Sequence, residues 1–398
     1  MTKDYTFGDA IPVAPLQIAA LDSCKELGQK VNDYIVQFRK NDYDLLKERN
    51  DYVLNLRGYD RDNYLIESAC PRFGSGEAKG VITSSVRGSD LFVMCDVTNY
   101  SLTYKMPHGL NHMSPDDHYS DLKRIISIAE SNAHRVHVIM PFLYESRQHK
   151  RSKRESLDCA FALEELVSMG IDSITTFDAH DPRVQNAIPT FEFNNFMPTY
   201  QFVKALFKAE PDLKITKDNV MVISPDEGAM ARAVYLANNL GVDIGMFYKR
   251  RDYSRVVDGR NPIVAHEFLG NSVEGKTVII VDDMIASGES MLDTCRELKE
   301  KKAAHVFALS TFGLFTAGFE KFDEFYEKGY IDRVITTNLN YRPAEVFTKP
   351  WYVEADMSKF LASIINYINH NASLSELMNP SAKIQNVITL FNEGKYGK

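Results

Sequence analysis

Cysteine is scarce in this chain and tryptophan nearly absent, with five of the first and one of the second in 398 residues. Cys24, Cys70, Cys95, Cys159 and Cys295 are dispersed, and no CxxC pair occurs. An odd, scattered set reads as free thiols in a reducing compartment. Long apolar runs are missing: none approaches the ~20 residues that a bilayer-spanning helix needs. The segment Met1–Ile18 carries Lys3, Asp4, Asp9 and two prolines but no basic stretch followed by an apolar one, so no secretory signal is expected. Together these absences give the expectation of a cytoplasmic protein with no membrane partner. A basic surplus is missing as well. The net charge is −8, which argues against a general nucleic-acid binder. No repeat and no low-complexity tract interrupts the sequence.

What is present is ordinary globular material, 44% hydrophobic and 25% charged, in a length that suggests two domains. Ala20–Arg57 is expected to be helical, because Leu27, Val31, Ile35 and Phe38 recur on roughly one face. From Tyr64 the rhythm changes. Short β-branched or aromatic runs read as strands: Leu91–Cys95, Val136–Met140, Ile174–Phe177, Val220–Ile223, Ile244–Tyr248, Thr277–Val281, His305–Ser310 and Arg333–Thr336. Between many of them lie amphipathic stretches, Asp121–Ser131, Ser156–Met169, Thr199–Ala209, Gly228–Leu240 and Ser290–Lys301. Alternation of this kind predicts βαβ units and mostly parallel sheets, with ligands at the carboxyl ends of the strands. Ser101–Asp117, which holds His108 and His112 and is followed by His118, is expected to be a long surface loop, and its histidine spacing matches no common metal pattern. The tail from Asn379 is expected to form a short helix.

The strongest local signal is the segment from Val278 to Ser290. An apolar strand runs into Asp282 and Asp283, a loop of small and hydroxyl residues follows (Ala286, Ser287, Gly288), and a helix begins near Ser290. Backbone N–H groups at such a helix start can approach an anion, and the helix dipole favours negative charge there. Ser287 and Ser290 add hydroxyl donors. The paired carboxylates suit sugar hydroxyls instead, since a hydrogen bond to a charged group contributes about 1.5–3 kcal/mol. Glu289 lies in the same loop, where a carboxylate repels phosphate unless it points outward or meets a cation.

This segment resembles the ribose-phosphate loop of the phosphoribosyltransferase fold, and five further segments resemble, in order, those of the ribose-phosphate diphosphokinases, also called phosphoribosyl diphosphate synthases. Arg72–Glu77 followed by Ser85–Val93 is similar to that family's adenine-contacting hairpin, with Phe73, Ser75 and Glu77 in the contact positions. Pro141–Lys150 is similar to its strand end carrying the ATP contacts Arg147 and Gln148, with His149 where the family has Asp. The basic run Lys150, Arg151, Lys153 and Arg154 follows. Thr176–His180 resembles the segment whose His is a metal ligand. Val222–Ala229 resembles the segment whose Asp, here Asp226, lies at the metal and the sugar. Tyr248–Arg251 resembles the K-x-R that opens a mobile catalytic loop, continued here by Asp258, Gly259 and Arg260.

The resemblance implies an α/β fold of two phosphoribosyltransferase-type domains, each a mostly parallel sheet flanked by helices. The expected boundaries are a helical extension at 1–57, an ATP-side domain at 58–198, a ribose 5-phosphate domain at 199–378 and a tail at 379–398. It implies transfer of the diphosphoryl group of Mg-ATP to the anomeric hydroxyl of ribose 5-phosphate. Lys249 and Arg251 would be catalytic, Phe73, Ser75, Glu77, Arg147 and Gln148 would bind ATP, and Asp226, Asp282, Asp283, Ser287, Gly288 and Ser290 would bind ribose 5-phosphate. His180 and Asp226 would hold Mg2+. The family also implies a homo-oligomer, at least a dimer and usually a hexamer. Two alternatives stay open: a non-catalytic regulatory paralogue of such a synthase, and a transferase that consumes the diphosphate.

Overall fold

The computed structural model describes residues 7, 10–48, 52–251 and 263–396. Asp258, Gly259 and Arg260 lie outside the described residues. The chain divides into two compact units. The first comprises Met1–Met197, Asn338–Tyr341 and Met357–Met378; the second comprises Pro198–Thr337, Arg342–Asp356 and Asn379–Lys398.

In the first unit, five strands lie in the order Leu16–Ala20, Asp90–Met94, Arg135–Ile139, Ser173–Phe177, Glu192–Phe196, and every pair is parallel. The order follows the chain, so this sheet grows in one direction. Leu91, Val93, Val136, Val138 and Ile174 face the helices Pro115–Ala129 and Asp158–Ser168 through Leu122, Ile125, Ile126, Leu163 and Leu166. Phe92 and Met94, the alternate residues, are equally buried, which is the pattern of a sheet covered on both faces. The helix Lys25–Glu48 packs against Ser358–Asn369, contributed from late in the chain.

The second unit holds seven strands in the order Ile263–Leu269, Asp243–Arg251, Val220–Ser224, Thr277–Ile285, His305–Gly313, Arg333–Thr337, Tyr352–Ala355. All pairs are parallel except the first, which is an antiparallel hairpin. Residues alternate between two apolar layers. Val220, Val222, Ile279 and Val281 face the helices Thr199–Ala209, Met230–Leu240 and Ser381–Asn392. Met221, Ile223, Val278 and Ile280 face Glu289–Glu300 and Glu320–Glu327. After Val220–Ser224 the chain builds outward on one side, then returns to build Thr277–Ile285 on the other. The order therefore reverses between these two strands, which is where open α/β sheets bind ligands.

Several expectations need correction. Residues 1–57 are not a separate helical extension: Leu16–Ala20 is a strand of the first sheet, paired with Asp90–Met94, and the helix starts only at Lys25. Met357–Met378 belongs with the first unit and not with the second. The tail after Asn379 belongs to the second unit, where Phe391 of the helix Ser381–Asn392 stacks on Phe207 at 3.5 Å. Ser101–Asp117 is not a plain loop. It contains the hairpin Thr103–Met106 with Gly109–His112 and the start of the helix Pro115–Ala129. Ser114 caps that helix in a reciprocal box with Asp117, and Pro115 occupies its first turn.

Candidate functional site

In the second unit, both strands flanking the reversal end in carboxylates. Asp226 follows Val220–Ser224, and its turn is locked locally: the Ser224 hydroxyl donates to the Asp226 carbonyl at 2.7 Å, and Asp226 Oδ1 accepts from the Ala229 N–H at 3.1 Å. Asp282 and Asp283 lie within the strand Thr277–Ile285, which continues past the expected end at Val281. Their carboxyl groups interact, and Asp282 Oδ1 also accepts from the Asp283 N–H at 2.9 Å. Asp283 is buried and Asp282 half-buried. Burial pushes the Asp282 carboxyl well above the ordinary carboxylate range; the Asp283 carboxyl adds to this and Asp226 contributes in the same direction. Arg232, on the helix after Asp226, opposes the shift from 3.7 Å. The electrostatics thus bring Asp226, Asp282 and Asp283 into one field.

The loop Ala286–Gly288 follows, and the helix Glu289–Glu300 starts from Gly288. Gly288 has φ +85°, and a Cβ there would lie 2.4 Å from the Phe322 ring. Conformation and space both demand glycine, so the loop backbone is pressed against the Glu320–Glu327 helix. No side chain caps this helix start. Its first backbone N–H groups thus lack a side-chain cap, an arrangement that suits an anion. Ser287 lies in the loop and Ser290 in the first turn, with the Ser290 carbonyl accepting from the Thr294 hydroxyl at 2.9 Å. Glu289 is exposed and forms an ion pair with Lys321 at 2.6 Å. That hydrogen bond holds the Glu289 carboxyl below its usual range. The carboxylate that would oppose a phosphate meets a cation, one that no local sequence pattern reveals. Lys249 and Arg251 lie on the strand Asp243–Arg251 beyond its pairing with Val220–Ser224, opposite His266 and Ile263 in the antiparallel hairpin.

In the first unit, Arg147 and Gln148 sit on the loop after Arg135–Ile139, and His180 on the loop after Ser173–Phe177. The two loops are joined: the Pro141 carbonyl accepts from the Thr176 hydroxyl at 3.0 Å and from the Phe177 N–H at 3.1 Å. Each contains a non-glycine residue at positive φ, Glu145 at 55° and Asp178 at 42°, conformations that cost about 1–3 kcal/mol and gather at functional loops. Arg147 is exposed, whereas the Gln148 amide is spent on the carbonyls of Lys150 and Ser156. Lys150, Arg151, Lys153 and Arg154 are all exposed. Phe73, Ser75 and Glu77 occupy a tight turn closed by Phe73 N–H to Glu77 carbonyl at 2.7 Å, with the Ser75 hydroxyl donating to the Glu77 carboxylate at 2.8 Å. Arg72 anchors this turn on Asp121 at 2.8 Å and over the Tyr104 ring, leaving Phe73 53% exposed. The turn, the two strand-end loops and the switch-point carboxylates are thus distinct local assemblies. His180 belongs to the first unit and Asp226 to the second. Among the described residues, no group of three or more His, Cys, Asp or Glu could hold a metal ion.

Residues 16–170 match the model of the N-terminal domain of ribose phosphate pyrophosphokinase, and residues 198–321 match that of the phosphoribosyl transferase domain. The chain is 27% identical to the ribose-phosphate pyrophosphokinase of Vibrio parahaemolyticus over 79% of its own length and 91% of that protein. It is 28% identical to that of Wolinella succinogenes over 77% and 89% of the two chains. The crystal structure of phosphoribosylpyrophosphate synthetase from Mycobacterium smegmatis superposes with a TM-score of 0.67 at 20% identity, covering 90% of this chain and all of the other. With both domain models matched in order and the curated relatives aligned over most of its length, the chain belongs to the ribose-phosphate pyrophosphokinase family.

Proposed function

We propose that this chain is a ribose-phosphate diphosphokinase, which moves the diphosphoryl group of Mg-ATP onto the anomeric hydroxyl of ribose 5-phosphate. The observation that carries the reading is the switch-point cluster: Asp226, Asp282 and Asp283 beside an uncapped helix start at Gly288. Carboxylates accept from ribose hydroxyls, and the backbone N–H groups near Ser287, Gly288 and Ser290 receive the 5-phosphate. In the reaction, the anomeric oxygen forms a bond to the β-phosphorus and gives up its proton to solvent, the bond from that phosphorus to the α–β bridging oxygen breaks, and AMP leaves with the electron pair. Alignment and charge neutralisation supply most of the catalysis in such transfers. Lys249, Arg251 and Arg147 offset charge on the transferred group. Phe73 offers a face for adenine, and Glu77, with Ser75, an acceptor for its amine; the exposure of Phe73 supports a ligand or a neighbouring subunit at that turn. Gln148 positions ATP through its loop.

Magnesium takes oxygen ligands and keeps several waters. In this reading it enters with the Mg-ATP substrate, with His180 and Asp226 as its proposed protein-side contacts. The reading includes homo-oligomerisation, a cytoplasmic setting and no nucleic-acid or membrane partner. Among the described residues no helix is long and apolar enough to cross a membrane.

The test is direct. Purified protein is mixed with ribose 5-phosphate, ATP and Mg2+, and AMP and phosphoribosyl diphosphate are followed by mass spectrometry beside a Lys249→Ala variant. Equal amounts of both products, lost in the variant, are expected. Ligand binding without either product would point to a regulatory paralogue instead.

A further inference from the structure

The hairpin of Thr103–Met106 with Gly109–His112 has no part in the reaction proposed above, yet it is packed on a turn that does. Along its first strand the side chains alternate: Leu102, Tyr104 and Met106 are half-buried, whereas Thr103 and Lys105 are exposed. The returning strand Gly109–His112 is exposed throughout. The half-buried face meets the turn at 72–77. The Arg72 guanidinium lies 5.0 Å from the centre of the Tyr104 ring and 4.0 Å from Met113 Sδ. Gly76 has φ +94°, and a Cβ there would stand 2.7 Å from Met106 Sδ and 3.6 Å from the Tyr104 ring, so the close approach of Met106 requires the glycine. The turn itself is small. It is closed by the Phe73 N–H to the Glu77 carbonyl at 2.7 Å and the Gly76 N–H to the Phe73 carbonyl at 2.9 Å. A two-stranded element of this kind is marginal alone in water, and it keeps one shape where something packs on it. Asp121 holds one side of the turn through Arg72, and the hairpin holds the other. The hairpin is anchored in its own right: the Met113 N–H donates to the Leu102 carbonyl at 2.9 Å, His112 Nδ1 to the Tyr100 carbonyl at 2.9 Å and the Tyr104 hydroxyl to Asp117 at 3.4 Å.

We propose that this hairpin is a positioning element for the nucleotide, with Tyr104 and Met106 the positioning residues that hold the turn at 73–77 in its binding shape. The proposal rests on the adenine role given above to Phe73 and Glu77. Phe73 is 53% exposed, so its own packing does not fix its ring, and the backbone beneath it must do so. An apparent affinity falls in proportion to the fraction of time that the competent shape is populated. Loosening the turn therefore weakens nucleotide binding and leaves the transferred phosphates and ribose 5-phosphate untouched, because their proposed contacts lie on other segments.

The experiment is steady-state kinetics on the full-length chain and its variants Phe73→Ala, Tyr104→Ala, Tyr104→Phe, Met106→Ala and, on the opposite face of the same strand, Lys105→Ala. Tyr104→Ala and Met106→Ala should each raise KM for ATP about five-fold or more, with kcat and KM for ribose 5-phosphate within about two-fold of wild type. Tyr104→Phe, which keeps the ring beside Arg72, should match wild type, as should Lys105→Ala. A second readout needs no substrate: hydrogen exchange of the Phe73 and Gly76 amides should quicken at least about ten-fold in Tyr104→Ala, while the amides of the helix Pro115–Ala129 keep their wild-type rates and show that the fold is intact. Unchanged exchange at Phe73 and Gly76 would overturn the proposal. If Phe73→Ala raises KM for ATP and neither Tyr104→Ala nor Met106→Ala does, the positioning role is wrong and the adenine reading stands. If Phe73→Ala leaves KM for ATP unchanged, or the wild type makes no AMP, the reading of the turn itself fails, and the nucleotide role of the hairpin with it.

Discussion

At the residue scale, the loop proposed to receive the 5-phosphate carries a carboxylate of its own, Glu289. Glu289 is answered by Lys321. Both are exposed, so the pair contributes little to stability, and its consequence is electrostatic. Lys321→Ala is expected to leave the melting temperature nearly unchanged while raising KM for ribose 5-phosphate several-fold at low salt, with kcat little altered. Adding Glu289→Gln should restore KM. Identical steady-state constants for wild type and Lys321→Ala would show that this carboxylate does not reach the phosphate. Asp282 behaves differently, because burial and Asp283 raise its carboxyl above the ordinary value of 3.8. A raised carboxyl favours the folded state below that ordinary value, and this favour is lost as pH rises through the folded value. Asp282→Asn removes the loss. The variant should melt a few degrees higher than wild type at about pH 8, with the difference gone near pH 3, where both forms are uncharged. Its turnover of ribose 5-phosphate should fall by at least about ten-fold, because the sugar loses an ionic acceptor. A variant no more stable at high pH would contradict the burial cost.

At the scale of elements, the first unit depends on a buried seam. Arg39, on the helix Lys25–Glu48, is 2% exposed. It donates to Asn369 Oδ1 at 2.6 Å and to the Tyr59 carbonyl at 3.3 Å, and its guanidinium lies over the Tyr59 and Tyr64 rings. Asn369 in turn donates to Asp90, which also accepts from Arg135 and pairs with His137. Arg39→Ala should cost about 3 kcal/mol or more, since it opens a cavity and strands buried acceptors. Urea unfolding measures this directly, and a loss below about 1 kcal/mol would mean that water replaces the guanidinium at no net cost. The elements also show what a sequence can and cannot reveal. The central strands were legible because Val220–Ile223 and Thr277–Val281 are unbroken β-branched or apolar runs, while the extension through Asp282 and Asp283 to Ile285 was not. Leu16–Ala20 was hidden: it ends in alanines that continue smoothly into the helical pattern. Glu192–Phe196 was hidden by its asparagines, which suit an edge position. The start of the helix at Pro115, ahead of the expected Asp121, was hidden because its first turn is polar, although the Ser114–Asp117 cap is its signature. At the site, contiguous motifs carried Asp226, Asp282, Asp283 and Gly288. Arg232 and Lys321 act across distances in sequence that no local spacing records.

For the whole molecule, acid is the revealing variable. His370 follows the helix Ser358–Asn369 and stacks on Phe7 at 3.9 Å. Burial, with Arg39 nearby, pulls its imidazole from 6.5 down to about 3. A histidine held neutral in this way contributes stability above its ordinary value, and that contribution is lost as pH falls from 6.5 toward 3. Unfolding free energy should therefore decline by roughly 1.4 kcal/mol per pH unit across that window from this group alone. His370→Gln should flatten the slope by that amount in urea titrations at several pH values. An unchanged slope would assign acid sensitivity to other groups.

The path of the chain has a further consequence. It passes from one unit to the other at 197/198, returns at 337/338, leaves again at 341/342, and crosses twice more at 356/357 and 378/379. Neither unit is a continuous stretch of gene. A single recombination breakpoint can therefore never exchange one unit for a homologue's while leaving the other intact. A graft at 197/198 would give the incoming first unit a Met357–Met378 segment inherited from a different parent. Successful chimaeras should be those in which that segment travels with residues 1–197, so the two halves are constrained to diverge together although each carries its own sheet.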